Sequence, residues 1–222
     1  MREADMKSRL ALACTAGGIS VVAALPASFM ALAQTAPAID KSPLKSAASF
    51  SSIVDQKSRS VALFEEAGKV IEHPRCLNCH PAGDRPLQTM AMHPHQPPVS
   101  RGDGGMGVPG MMCNTCHGAE NATIVGQSST LKSIPGNAAW HLAPIEMAWV
   151  GKSLGEICQQ LKDPARNGGR DLNKIVEHMS HDSLVGWGWN PGEGREPAPG
   201  TQSQFGELIK AWVDTGAACP SG

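Results

Sequence analysis

Four stretches of this sequence carry the hydrophobic rhythm of a helix, and between the first and the second lies a long stretch that carries none. Leu63, Phe64, Ala67, Val70 and Ile71 share one face of a helix predicted to begin near Ser58 or Ser60, and Pro74 stops it at His73. Leu154, Ile157, Cys158 and Leu161 recur at i, i+3, i+4 and i+7. They follow Ser153-Leu154-Gly155-Glu156, a capping box in which serine and glutamate satisfy each other's backbone amides. Pro164 closes that helix. Asp171 opens a shorter one carrying Leu172, Ile175, Val176 and Met179. Thr201-Gln202-Ser203-Gln204 is a second capping box ahead of Phe205, Leu208, Ile209 and Trp212, and Gly216 is placed as the C-terminal cap. Residues 81–139 are rich in Pro, Gly and Met, without sustained period and with little strand signal. So long an irregular stretch predicts that something other than secondary structure holds it. The expected fold is mainly α with long irregular loops.

Composition sharpens this. Aromatics are 4% of the chain, tyrosine is absent, and there are 24 glycines and 17 prolines, so little bulk is available to fill a core. The formal net charge is −1 with no basic stripe, which argues against nucleic acid as a partner. Arg2, Lys7 and Arg9 precede an apolar run from Leu10 to Ala33 that ends in Ala31-Leu32-Ala33, the pattern of a secretory signal. The expected organisation is a signal peptide over 1–33, a flexible N-terminal tail over 34–57 and a folded domain over 58–222. Retention of the leader as an anchor is the alternative. No transmembrane segment is expected in the mature chain, and the expected compartment is the periplasm, where disulfides persist. Cys158 and Cys219 lie outside the leader and outside the motifs described next, and are expected to pair; two buried free thiols are the competing reading.

Cys76-Leu77-Asn78-Cys79-His80 and Cys113-Asn114-Thr115-Cys116-His117 both read as heme c attachment sequences. Two thiols at this spacing add across the vinyl groups on one porphyrin edge, and the next residue offers its imidazole to the iron. Cys76, Cys79, Cys113 and Cys116 are thus the expected covalent attachments of two heme c groups, with His80 and His117 as proximal iron ligands. A zinc site built from two Cys-x-x-Cys pairs and a redox dithiol are the competing chemistries. Neither requires a histidine directly after each second cysteine. The motifs begin 37 positions apart, too close for two tandem mitochondrial-type domains. Both hemes should therefore share one core and lie close enough to exchange electrons.

Six histidines remain as distal candidates: His73, His93, His95, His141, His178 and His181. His95, flanked by prolines, is preferred to His93. His178 lies beside the Ile175/Met179 stripe, and His141 follows Trp140; His95 and His178 are the first choices, with His141 close behind. His73 could reach a neighbouring heme, while His181 falls on the solvent face. Met147 is the best methionine candidate. Most other methionines, and the five tryptophans, read as core and heme packing.

The chain resembles a family of proteobacterial periplasmic diheme c-type cytochromes, some labelled isoquinoline 1-oxidoreductase subunit. The resemblance spans about residues 60–220. Besides the two motifs and the His73-Pro74-Arg75 before the first, it rests on Trp140-His141-Leu142-Ala143-Pro144, on residues 163–170 (Asp-Pro-Ala-Arg-Asn-Gly-Gly-Arg) and on Ala211-Trp212. It implies a compact diheme cytochrome c-type domain and redox-partner proteins, with a molybdenum hydroxylase as electron donor. The expected function is electron carriage or electron acceptance for a periplasmic dehydrogenase, without catalysis by this chain. The alternative is a diheme peroxidase-like enzyme or a heme-based sensor with one open axial site.

Overall fold

In chain order the helices are α1 (Gln56–Ile71), α2 (Pro74–Leu77), α3 (Leu154–Lys162), α4 (Leu172–His181), α5 (Ser183–Gly186) and α6 (Gln202–Asp214). The computed structural model describes residues 42–118, 139–192 and 194–222, all within one unit of the chain. Residues 1–41, which include the expected leader and the start of the expected tail, lie outside the described residues.

Each helix starts where local chemistry supplies a cap. Asp55 accepts the Ser58 amide ahead of α1, and Asp171 accepts the Lys174 amide ahead of α4. Ser153/Glu156 and Thr201/Gln204 form the two expected capping boxes. Gly216, at φ +100°, follows the end of α6 as expected. The expected apolar face of α1 is buried whole, and α6 lies against both α1 and α4. Trp212 of α6 meets Phe64 of α1 with ring centres 4.8 Å apart. Burying one such large apolar side chain contributes about 1.5–3 kcal/mol. Polar groups in this core are paired. The Ser60 hydroxyl donates to the Trp212 carbonyl and accepts the Ala218 amide, which ties α1 to the segment after α6.

Two expectations need correction. Residues 42–57 are not a free tail. They form a 3-10 turn (Ala47–Phe50) and the start of α1, and Leu44 and Phe50 are buried in the main core. The Lys45 amide and the Lys69 ammonium both bond the buried Glu66 carboxylate. Two isolated apolar residues have no period, so the segment reads as linker although it is anchored. The irregular stretch also contains two short antiparallel hairpins, β1 (Leu87–Gln88) with β2 (His93–Pro94), and β3 (Gly107–Val108) with β4 (Met111–Met112). Ladders of two residues are too short to show alternation. Residues 119–138 lie outside the described residues.

A buried arginine holds these loops. The Arg101 guanidinium donates to the Ala143 and Gly83 carbonyls and lies 3.5 Å from the Asp84 carboxylate. The Arg101 amide and carbonyl bond Asp84 and Gly107. Gly107 must be glycine, because at φ +95° a Cβ would sit 2.6 Å from the Met111 carbonyl oxygen. Loops that secondary structure leaves unpinned are thus tied by one side chain to the strand of chain that follows Trp140. Among the described residues no helix is long and apolar enough to cross a membrane.

The structure joins Cys158 on α3 to Cys219 beyond α6, with Cα atoms 5.6 Å apart. The Lys162 ammonium donates to the Ala217 carbonyl beside it. The bridge closes a span of 61 residues and restricts the unfolded chain. Replacing both cysteines with alanine should lower unfolding stability by roughly 2–4 kcal/mol in denaturant titration. A stability unchanged by that double substitution, or two alkylatable thiols in the native protein, would contradict the pairing.

Candidate functional site

α2 exists because His73 caps it: the His73 Nδ1 accepts the Arg75 amide, and Pro74 starts the helix with φ already set. The turn carries Cys76 and runs straight into Cys79 and His80. Asn78, between the two cysteines, donates from Nδ2 to the Thr89 carbonyl, and its own carbonyl accepts the Leu87 amide. The first motif is thereby fastened to the β1–β2 hairpin. His80 is held from the other side. Its Nδ1 lies 2.8 Å from the Met147 carbonyl and its carbonyl accepts the Trp149 amide, while its ring stacks on Trp149 at 3.5 Å and 9°. A carbonyl only accepts, so Nδ1 carries the hydrogen and Nε2 keeps its lone pair. Burial pulls the His80 pKa down to about 4, against the upward pull of the Met147 carbonyl, and keeps the ring neutral near pH 7.

The second motif is built the same way from different parts. β4 leads into a 3-10 turn (Cys113–Thr115) whose first amide bonds the Met106 carbonyl. His117 is buried and stacks on Trp140, with ring centres 4.9 Å apart and planes at 16°. Its pKa is also lowered to about 4, first by burial and then by His95 and Arg195. Each motif histidine therefore rests on a tryptophan as a neutral imidazole.

Each motif opens into its own cleft. The first is lined by Cys76, Cys79 and His80 and by His141 and His178. The second is lined by Cys113, Cys116 and His117 and by His95. Arg75, Cys79 and Trp187 line both, so the two clefts share a wall.

His95 meets His117 edge-on, with ring centres 5.9 Å apart and planes at 61°. An imidazole nitrogen sits about 2 Å from a bound transition metal, so two rings facing each other across one ion have centres roughly 6 Å apart. The His95 ring is fixed for this. Its Nδ1 bonds the Pro97 carbonyl at 2.9 Å, its amide bonds Pro86, and its carbonyl accepts two bonds from Arg85. In the first cleft His178 Nδ1 lies 3.0 Å from the Asp182 carboxylate, and His141 Nδ1 lies 2.6 Å from the Ala139 carbonyl. All three expected distal candidates thus have Nδ1 tied to an acceptor and Nε2 left over, the arrangement in which a histidine serves as metal ligand. Burial lowers the His178 pKa, as does Arg170, against the opposing pull of Asp182.

The other candidates fall away. His73 uses Nδ1 to accept an amide, so its hydrogen sits on Nε2 and no lone pair remains there. His93 is exposed and lines neither cleft. His181 is exposed, as expected. Met147 lines the first cleft, and its carbonyl anchors His80. Sequence reasoning did not single out Asp182, whose signal is its i+4 spacing from His178; it read Arg75 only as part of the resemblance and Trp187 only as packing.

The donor set suits heme better than the competing groups. Among the described residues no three His, Cys, Asp or Glu side chains converge as a zinc site requires. A reactive dithiol needs a depressed thiol pKa. Burial pushes the Cys76 thiol up to about 12 and the Cys79 thiol up to about 11. No family model, curated protein or solved structure matches the chain.

In heme-free chain made without cytochrome maturation, Cys76 and Cys79 should alkylate at pH 8 at least ~100-fold more slowly than a free thiol, because only the thiolate reacts. The rate should climb as pH rises toward 11. Peptide-resolved iodoacetamide kinetics check this, and free-thiol rates at both positions would contradict the buried setting.

Proposed function

We propose that this chain is a diheme c-type cytochrome that relays electrons, with heme c joined through Cys76/Cys79 in the first cleft and through Cys113/Cys116 in the second. One observation carries the reading: each attachment motif opens into a cleft that also presents an anchored imidazole with a free Nε2. His80 and His178 serve the first iron, and His117 and His95 the second. The groups, once bound, supply reversible Fe(III)/Fe(II) cycling. The chain's own residues do the rest. Met147 and Trp149 hold His80; Trp140 holds His117; Pro97 and Asp182 fix the tautomers of His95 and His178. With two imidazoles of the chain held for each iron, peroxide and substrate would be kept from it, which favours transfer over catalysis. The shared wall of Arg75, Cys79 and Trp187 keeps the two groups adjacent.

The resemblance to periplasmic diheme cytochromes supports the same reading, with export by the leader and a molybdenum hydroxylase as electron donor. The low net charge provides little long-range steering, so docking would rest on a local patch.

Pyridine hemochrome assay and intact mass of protein matured in a competent host should give two hemes per chain, and one after Cys113→Ala/Cys116→Ala. A heme-free or zinc-loaded product would overturn the proposal. Among the histidines, His95→Ala should convert one heme to a high-spin visible spectrum and His178→Ala the other. His93→Ala and His181→Ala should leave both low-spin. A His95→Ala protein with an unchanged spectrum would remove His95 from the ligand set.

A further inference from the structure

The segment that holds His80 is itself held by a buried amide. Gln160 lies on α3 between Cys158 and Leu161 and is 1% exposed. Its Nε2 donates to the Ala148 carbonyl at 3.1 Å, while its Oε1 is buried without a hydrogen-bond partner. An unmet buried oxygen is costly, so an apolar side chain would suit this place better if packing were its only duty. The Ala148 carbonyl belongs to the same planar peptide unit as the Trp149 amide, and that amide donates to the His80 carbonyl at 2.9 Å. One peptide plane is thus hydrogen-bonded at both ends, by Gln160 on the α3 side and by His80 on the cleft side. The peptide unit before it supplies the Met147 carbonyl that takes the His80 Nδ1 hydrogen. Trp149, after it, stacks on the His80 ring, and among the described residues its buried Nε1 has no hydrogen-bond partner. The plane of that indole is therefore left to its backbone and to packing.

We infer that Gln160 is a positioning residue for the proximal ligand of the first cleft. By holding the Ala148–Trp149 peptide against α3, it sets the strength of the bond between His80 Nδ1 and Met147 and, through it, the potential of the first iron alone. The inference rests on the proposed heme reading and adds to it a residue that lines neither cleft. The base from which Gln160 acts is firm: α3 starts in a capping box and is bridged by Cys158 to Cys219. A histidine that donates its Nδ1 hydrogen to a fixed acceptor is the more basic ligand at Nε2. A more basic ligand favours ferric iron, so slackening that bond raises the midpoint potential. His117 is out of reach of this device, because its turn and its stacking partner Trp140 lie on other segments.

The test compares the matured protein with two variants. Gln160→Met keeps the length of the side chain and deletes its donor, and Gln160→Asn keeps the amide but draws it back by one carbon. Heme content by pyridine hemochrome comes first; fewer than two hemes in the unmutated protein refutes the heme reading itself. Spectroelectrochemical titration should then find one midpoint raised in both variants and the other unmoved. The Cys113→Ala/Cys116→Ala form, which keeps only the first heme, assigns the wave. In ¹⁵N-histidine spectra of the ferrous protein, the His80 Nδ1 hydrogen should exchange with solvent about fivefold faster, the factor set by one net hydrogen bond of ~1 kcal/mol. Should one variant fail to mature, the other decides. Loss of the first heme alone in both variants also supports the positioning role, whereas loss of both hemes shows a structural role only and counts against it. Midpoints and His80 exchange equal to those of the unmutated protein, or midpoints moved equally at both irons, would overturn the inference.

Discussion

A histidine whose Nδ1 is tied to a fixed acceptor has a decided tautomer and a decided direction, and the loop half of this protein is arranged around four such histidines. His80, His95, His141 and His178 are tied to Met147, Pro97, Ala139 and Asp182. Three of those acceptors are backbone carbonyls, so the positions of irregular chain segments set the directions of the imidazoles. The Arg101 ties therefore bear on the proposed ligand geometry as well as on the fold. They fix the loop before the second motif to Ala143, four residues before the carbonyl that anchors His80. Helices alone would not deliver this, because the imidazoles come from a hairpin, a turn, a helix end and an extended segment.

The division of labour follows from composition. Helices α1, α3, α4 and α6, with the Cys158–Cys219 bridge, form a core that is complete in ordinary apolar terms. Its large side chains, Phe64, Phe205 and Trp212, are buried there. Trp189 packs against Phe205 of that core, and the other three tryptophans stand at the clefts: Trp149 and Trp140 back the two motif histidines, and Trp187 stands edge-on to Trp140. With few aromatics in the chain, placing three of its five tryptophans at the clefts concentrates rigid bulk where flat cofactors would pack.

How much of this was legible follows physical lines. Caps and periodic faces were readable because they are local: Asp171, both capping boxes and Gly216 act within one turn of chain. The disulfide was readable by elimination and compartment. The anchoring of residues 42–57 was not, since Leu44 and Phe50 find their partners only in three dimensions. Among the site residues, His95 was preferred to His93 because of its flanking prolines, and the structure places only His95 opposite His117. His73 looked plausible from spacing, and its use as an amide acceptor removes it. The Arg75–Trp187 contact spans 112 positions and leaves no periodic or motif trace.

The central claim is that each cleft holds its iron between two imidazoles of this chain. Near-infrared magnetic circular dichroism of the oxidised, matured protein, read together with its electron paramagnetic resonance spectrum, tests it most directly. The account predicts two low-spin ferric hemes, both with the charge-transfer band of paired nitrogen ligands and no methionine–iron band. A high-spin ferric heme, or methionine–iron bands at both irons, would contradict it.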